Sequence, residues 1–296
     1  MISHVKEVLP SVRTLICHRD VSLAIHCLST VLHLSAEPVQ LVLHEDGSLT
    51  SEDRQQIAEH LPGARLFDRV TADQLMAERL AAHPHALAFR QSSVWGLKLF
   101  DVVLAEPGYC FYLDSDIRFF RPFSGLFVEK AVRNRCVFLR DTVWQAYSVR
   151  PWHLFRRHGL RLASGMNTGL TLCDPSVFDL DLVDWFLSHG NWRVIPAWTE
   201  PTCWAALAIR ANGHAVDPRQ LVNLYPSASI TPHCLGAHFL SAYRAQFQDL
   251  LLQPMEQAPS PEPIRFQPLK PLTVLGLAAS QMKRKAQNTL SLLYQA

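Results

Sequence analysis

"CFYLDSDIRFF", residues 110–120, decides how the rest of the chain is read. Its first four residues are apolar without alternation, the pattern of a strand buried on both faces inside a sheet. Asp114 and Asp116 follow, one residue apart. In open α/β sheets ligands bind beyond the carboxyl ends of strands, and residues i and i+2 of an extended chain point the same way. Both carboxylates are therefore expected to aim into one space just past the sheet. Two anions there repel unless a cation or protons intervene, and hard divalent metals take oxygen ligands. The structural alternative has Asp114 ending the strand and Asp116 solvated or paired with Arg118.

Upstream of this stretch, strand-like and helix-like pieces alternate. Residues 12–17 (VRTLIC) form a short apolar run, and Leu23, Cys27, Leu28, Val31 and Leu34 follow at helical spacing. Residues 39–44 (VQLVLH) read as the next strand, ending in the turn signal EDGS. Thr50 and Asp53 suit a helix start. Residues 64–67 read as a third strand, and Thr71 is expected to cap the helix after it. A helix over residues 93–106 leads into the 110–113 strand. This alternation predicts right-handed crossovers and an α/β fold with a mostly parallel, Rossmann-like central sheet flanked by helices.

Downstream, residues 136–140 and 166–173 read as strands, 175–189 and 201–213 as helices, and 234–240 as a late strand or loop. Six prolines between residues 254 and 271 mark a linker. A helical tail is predicted over residues 272–296, leaving 1–253 as the main domain. In the tail Leu272, Leu275, Ala279, Met282, Ala286, Leu290 and Leu293 form one apolar stripe beside Lys283, Arg284 and Lys285. Such a helix docks on the protein's own body, self-associates with a second subunit, or lies as a peripheral contact on an anionic membrane.

Composition narrows the function class. The chain has 296 residues, 48% hydrophobic and 18% charged, with a formal net charge of +2, which gives no reason to expect nucleic acid. Seven scattered cysteines without a CxxC favour buried, reduced thiols and a cytoplasmic location. The N-terminus lacks the apolar core of a signal peptide, and no apolar run is long enough to span a bilayer.

Further motifs stand around the paired aspartates. They are LKLF at 97–100, NTGLTL at 167–172, TEPT at 199–202, EDGS at 45–48, and a His238, Ser241, Arg244 series. With these in this order, the chain resembles nucleotide-sugar glycosyltransferases of the GT-A fold over roughly residues 12–250. Within them it is most similar to the retaining glycogenin-like and lipopolysaccharide-galactosyltransferase-like group. The resemblance implies a sugar transfer from a nucleotide-diphosphate sugar to a hydroxyl of a glycan, lipid-linked or protein acceptor. It implies Mn²⁺ or Mg²⁺ on the donor diphosphate, held by Asp114 and Asp116 with His238 as third ligand. It further implies that Lys98 touches the donor, that Asn167 and Gly169 lie near donor and acceptor, and that Asp46 meets the nucleoside. Arg244 would clamp the diphosphate, and Glu200 would be a catalytic or acceptor-side acid. Asp141, Trp144 and Tyr147 are candidates for a sugar-facing wall. Pro201 stands where the group carries Gln, Ser241 where it carries Gly, and Arg244 where it carries Lys; the closing Lys-Pro-Trp is missing.

Two other functions fit parts of the pattern. A haloacid-dehalogenase-like phosphatase also ends a strand in DxD, with the first Asp as nucleophile, but that motif normally opens the domain. A non-catalytic protein on the same fold would bind a nucleotide-sugar or glycan without turnover.

Overall fold

The computed structural model describes residues 9–143, 147–154, 160–189, 195–254 and 260–293. Up to the paired aspartates the chain forms β1 (Ser11–Ile16), α1 (Val21–Leu34), β2 (Gln40–Glu45), α2 (Ser51–His60), β3 (Arg65–Phe67), α3 (Arg69–Arg79), α4 (Pro84–Ser92), α5 (Val94–Leu104) and β4 (Cys110–Leu113). The four strands pair in parallel in the order β4-β1-β2-β3. Thr50 and Asp53 close the expected capping box on α2. The cap of α3 is Asp68 rather than Thr71: its carboxylate accepts from the Thr71 amide at 2.9 Å and the Thr71 hydroxyl at 2.6 Å. A short side chain three residues ahead reaches the unsatisfied N–H groups of the first turn.

Beyond Asp116 follow β5 (Ile117–Phe119), β6 (Phe123–Ser124), α6 (Glu129–Val132), β7 (Cys136–Arg140), β8 (Met166–Cys173), α7 (Leu180–His189), α8 (Pro196–Arg210), β9 (His214–Val216), β10 (Leu221–Asn223), β11 (Gly236–His238), α9 (Gln248–Leu251), β12 (Glu262–Pro263), β13 (Phe266–Pro268) and α10 (Val274–Leu293). The main sheet has the order β13-β9-β7-β8-β4-β1-β2-β3. It is parallel through its N-terminal half and mixed beyond, because β8 runs antiparallel to both β4 and β7. A second sheet, β10-β11-β5, stands on the far side of the aspartate turn.

Each residue of β4 is buried, and its side chains alternate between two cores. Cys110 and Tyr112 join the cluster that holds Phe100 and Trp204; Phe111 and Leu113 join the one that holds Leu28 and Phe127. That explains the run of four apolar residues without alternation. Arg13 on β1, fully buried, donates to the Val102 carbonyl at 2.7 Å and so ties the end of α5 to the sheet. Cationic groups suit helix C-termini.

The stretch read as a linker is partly folded. β12 pairs with β6, and β13 adds an edge strand to the main sheet beside β9. α8 begins at Pro196, five residues before the predicted start, so Pro201 lies inside it. All seven cysteines are free thiols. Among the described residues no helix is long and apolar enough to cross a membrane.

Candidate active site

The turn Asp114–Asp116 joins the main sheet to the second one, and each aspartate is fixed from a different side. Asp114 follows the last residue of β4, and its amide donates to the Gly169 carbonyl of β8 at 2.6 Å. Asp116 precedes β5, and its carbonyl accepts from the Phe239 amide at 2.9 Å. The antiparallel β5–β11 register sets His238 opposite Ile117. Residues more than a hundred positions apart thus meet at one point. A carboxylate oxygen of Asp114, one of Asp116 and a ring nitrogen of His238 lie within 4.8 Å of one another.

His238 is oriented for this meeting. Its Nδ1 lies 3.2 Å from Asn223 Oδ1. The Asn223 amide is itself turned by donating from Nδ2 to the Arg140 carbonyl at 3.2 Å. Asn223 Oδ1 therefore accepts from the Nδ1–H of His238, and Nε2, with a lone pair in the neutral ring, faces the acids. It stands 3.2 Å from Asp116 Oδ1 and 3.6 Å from Asp114 Oδ2. A partner on the second ring nitrogen is how metal-binding histidines are commonly held. Gly169 makes the room: a Cβ there would lie 2.4 Å from His238 Cε1 and 2.7 Å from Nδ1. The glycine predicted near the donor is required by the histidine beside it.

Cations surround the pair. Lys98, buried on α5, donates to Asp114 Oδ1 at 2.8 Å and Oδ2 at 3.0 Å, and the Tyr112 hydroxyl also donates to Oδ1. Burial disfavours the charged Lys98, but Asp114 and Glu200 outweigh it and raise its pKa. Arg244 spans two carboxylates, Asp116 Oδ2 at 2.8 Å and Asp20 Oδ1 at 3.0 Å. Burial pushes the Asp116 carboxyl up, but the neighbouring His238 and Arg244 bring it down to about 2. The expected alternative pairing of Asp116 with Arg118 does not occur: that guanidinium turns away and donates to the Leu250 carbonyl at 3.1 Å and to those of Leu251 and Gln253.

The other predicted residues divide. Asn167 lies beside the cluster, its Oδ1 accepting from the Gly169 amide at 2.8 Å. Glu200 is only 1% exposed and accepts from the Thr168 hydroxyl at 2.7 Å. Burial lifts its carboxyl to about 7, despite the opposing pull of Lys98 and Thr168. Asp46 stays outside the cluster in a local turn, accepting from the Ser48 amide at 2.9 Å and hydroxyl at 2.6 Å; its own amide reaches the Ile16 carbonyl at the end of β1. Asp141 accepts from the Tyr225 hydroxyl at 2.8 Å, and the Tyr147 hydroxyl donates to the Ala163 carbonyl at 2.6 Å, so both are engaged in internal bonds. Trp144 lies outside the described residues. Sequence reasoning missed Asp20, Asn223, Tyr112 and Thr168. Of these only Tyr112, two residues before Asp114 on a strand, carried a signal.

A divalent cation suits this donor set. Asp116 Oδ1 is buried with no hydrogen-bond partner, and Nε2 of a neutral His238 offers a lone pair next to it. Two carboxylate oxygens and one imidazole nitrogen form a mixed hard set.

Neither a protein-family model nor a curated protein matches the sequence. Solved structures do. Mouse xyloside xylosyltransferase 1 aligns with a TM-score of 0.50 at 13% identity, over 79% of this chain and 99% of its own. The fold is GT-A. The galactosyltransferase LgtC, solved with donor and acceptor sugar analogues, aligns at 0.46 and 10% identity, over 84% of this chain and 98% of its own. Core-mannan synthase A from Aspergillus fumigatus, in a Mn/GDP form, aligns at 0.47 and 11% identity, over 72% and 74%.

Proposed function

We propose that this GT-A chain is a metal-dependent glycosyltransferase that moves a sugar from a nucleotide-diphosphate sugar to an acceptor hydroxyl, with retention at the anomeric carbon. The observation that carries the reading is the convergence of Asp114, Asp116 and His238 just beyond the carboxyl end of β4, in a fold shared with a xylosyltransferase. These three residues would hold Mn²⁺ or Mg²⁺, which when bound offsets charge developing on the leaving nucleoside diphosphate.

The chain's own residues do the rest. Lys98 fixes the Asp114 carboxylate with two hydrogen bonds and balances its charge. Glu200, buried and coupled to Lys98, is a positioning residue in this reading. The Arg244 side chain is 22% exposed, and in this reading its fork exchanges a carboxylate partner for a phosphate, which it is suited to grip bidentately. Asn167 and Gly169 shape the floor between donor and acceptor. In this reading Asp46, just after β2, accepts from a nucleoside group. A cavity of about 200 Å³, lined by Arg140, Thr142, Asn223, Tyr225, Ser227 and Ser229 among others, adjoins His238 through Asn223. Its hydroxyl and amide lining suits a polyhydroxylated acceptor, whether free glycan, lipid-linked or protein-bound. Retention rests on the resemblance to the glycogenin-like group. The free thiols support a cytoplasmic setting.

The test is a panel of nucleotide-sugars assayed for nucleoside diphosphate release with Mn²⁺ or Mg²⁺. At least one donor should turn over, and chelator should stop it. Tight nucleotide-sugar binding without turnover of any donor would favour the non-catalytic protein. Cleavage of simple phosphate esters, with aspartyl-phosphate trapped on Asp114, would favour the phosphatase.

A further inference from the structure

A cleft of about 50 Å³ lies between α8, the 147–150 segment and α10, and none of Asp114, Asp116, His238 or the cations around them lines it. Ser148, Arg150, Trp198, Gln281 and Arg284 are among its walls. The three elements are tied to one another. The Ser148 amide donates to the Thr202 hydroxyl of α8 at 2.9 Å, and Gln281 Nε2 of α10 donates to the Val149 carbonyl at 2.8 Å. The Arg284 guanidinium lies over the Trp198 ring, 3.9 Å from its centre. A guanidinium on an aromatic face keeps its N–H edge free for other partners.

Two cations share this cleft without an acid. The stretches that build it, residues 142–173, 185–199 and 263–296, contain no Asp or Glu. The next acid along α8, Glu200, is buried and accepts from the Thr168 hydroxyl. Burial, and after it the charge of Arg150, lower the Arg284 pKa, and no carboxylate acts to raise it. Other arginines drawn into the fold are compensated: Arg90 meets Asp101 at 2.7 Å, and Arg244 meets Asp116 and Asp20. Like charges held close, one of them partly buried, cost free energy that a counter-anion recovers.

We infer that this cleft is an anion site that takes one phosphate group, free or as the monoester of a soluble ligand, between Arg150 and Arg284. A phosphate monoester carries roughly −1.5 to −2 at neutral pH, which balances two guanidinium groups. Its tetrahedral oxygens meet two forks from different sides, whereas a carboxylate offers two oxygens in one plane. The cleft has the volume of a water or two, so it admits the phosphate and leaves the rest of a monoester in solvent. The Trp198 ring and the bonds of Ser148 and Gln281 set the walls before any ligand arrives. This inference is independent of the proposed sugar transfer.

The experiment is isothermal titration calorimetry of the full chain with inorganic phosphate and with glucose 6-phosphate, at an ionic strength fixed with chloride. Both should bind. Arg150→Gln and Arg284→Gln should each weaken binding by roughly 10–100-fold, the range for a hydrogen bond to a charged group. Arg284→Lys should recover only part of the loss, because an ammonium has no fork. Tighter binding of glucose 6-phosphate marks a phosphorylated ligand as the source and equal binding marks the free ion; either supports the site. In phosphate-free buffer the melting temperature of Arg150→Gln should not fall, since the change relieves repulsion, and nucleoside diphosphate release should be unchanged. Arg150 is exposed, so its variant keeps the test valid if Arg284→Gln misfolds. Failure of either probe to bind overturns the inference. So does an unchanged affinity in both glutamine variants, which would put the phosphate elsewhere on the chain.

Discussion

Gly169→Ala isolates the geometry that brings His238 to the aspartates. The added methyl would sit 2.4 Å from His238 Cε1, 2.7 Å from Nδ1 and 2.9 Å from Asn167 Oδ1, all well inside contact distance. The backbone cannot withdraw easily, because the Gly169 carbonyl accepts from the Asp114 amide at 2.6 Å within the β4–β8 pairing. Nor can β11 shift, held between β10 and β5. The imidazole must therefore rotate, which breaks its bond to Asn223 and swings Nε2 off the acids. Overpacking of this kind costs about 1–3 kcal/mol, a drop of roughly 2–10 °C in melting temperature. Disturbing a ligand's orientation commonly costs about 10–100-fold in metal affinity. At a fixed saturating Mn²⁺ concentration, the metal-induced stabilisation should then shrink by about 1.4–2.8 kcal/mol. Thermal melts of both proteins with and without Mn²⁺ measure both quantities, and donor turnover gives the catalytic consequence. A variant that matched the parent in metal response and turnover would refute the reasoning, because His238 would then be free to move without consequence.

Asp114→Asn and Asp116→Asn should each abolish transfer, but Asp114→Asn should be the less stable by denaturant melts. It strands the buried Lys98, a loss of about 3 kcal/mol or more by analogy with broken buried pairs, whereas Arg244 keeps Asp20 after Asp116→Asn. Arg244→Ala should lower kcat by roughly 10²–10³, with Arg244→Lys recovering much of it; unchanged kcat in the alanine variant would remove Arg244 from the diphosphate. Glu200 has its carboxyl raised from 4.5 to about 7. The folded state thus holds a proton that the unfolded chain has released, so its contribution to stability falls as pH rises through that window and levels off above it. Glu200→Gln should flatten this decline, read as melting temperature against pH; an identical slope in both proteins would mean that Glu200 is already ionised.

The sequence by itself determined the features that depend on neighbours along the chain. The four apolar residues before Asp114 required a strand buried on two sides, and β4 is one. Both carboxylates do meet beyond the sheet, though through a turn at Ser115 and Asp116 rather than an extended chain, and Thr50 with Asp53 announced a helix start. The interval from His238 to Arg244 was legible only through the resemblance, and both residues do reach Asp116. Such signals are legible because strand alternation, helix rotation and capping are set within a few residues. Tertiary structure alone decided the partners. Lys98 was read toward the donor, yet it closes on Asp114; Asp20 and Asn223 carried no local signal, yet one holds Arg244 and the other orients His238. The apolar stripe of the tail was visible, but not that Leu275, Ala279, Met282 and Ala286 would be exposed while Leu277, Gln281 and Arg284 meet the body. Each of these outcomes depends on the register of β5 against β11, the antiparallel entry of β8, or the way two distant surfaces fit. Those are set by burial and pairing summed over the whole molecule, and no short window of residues encodes them.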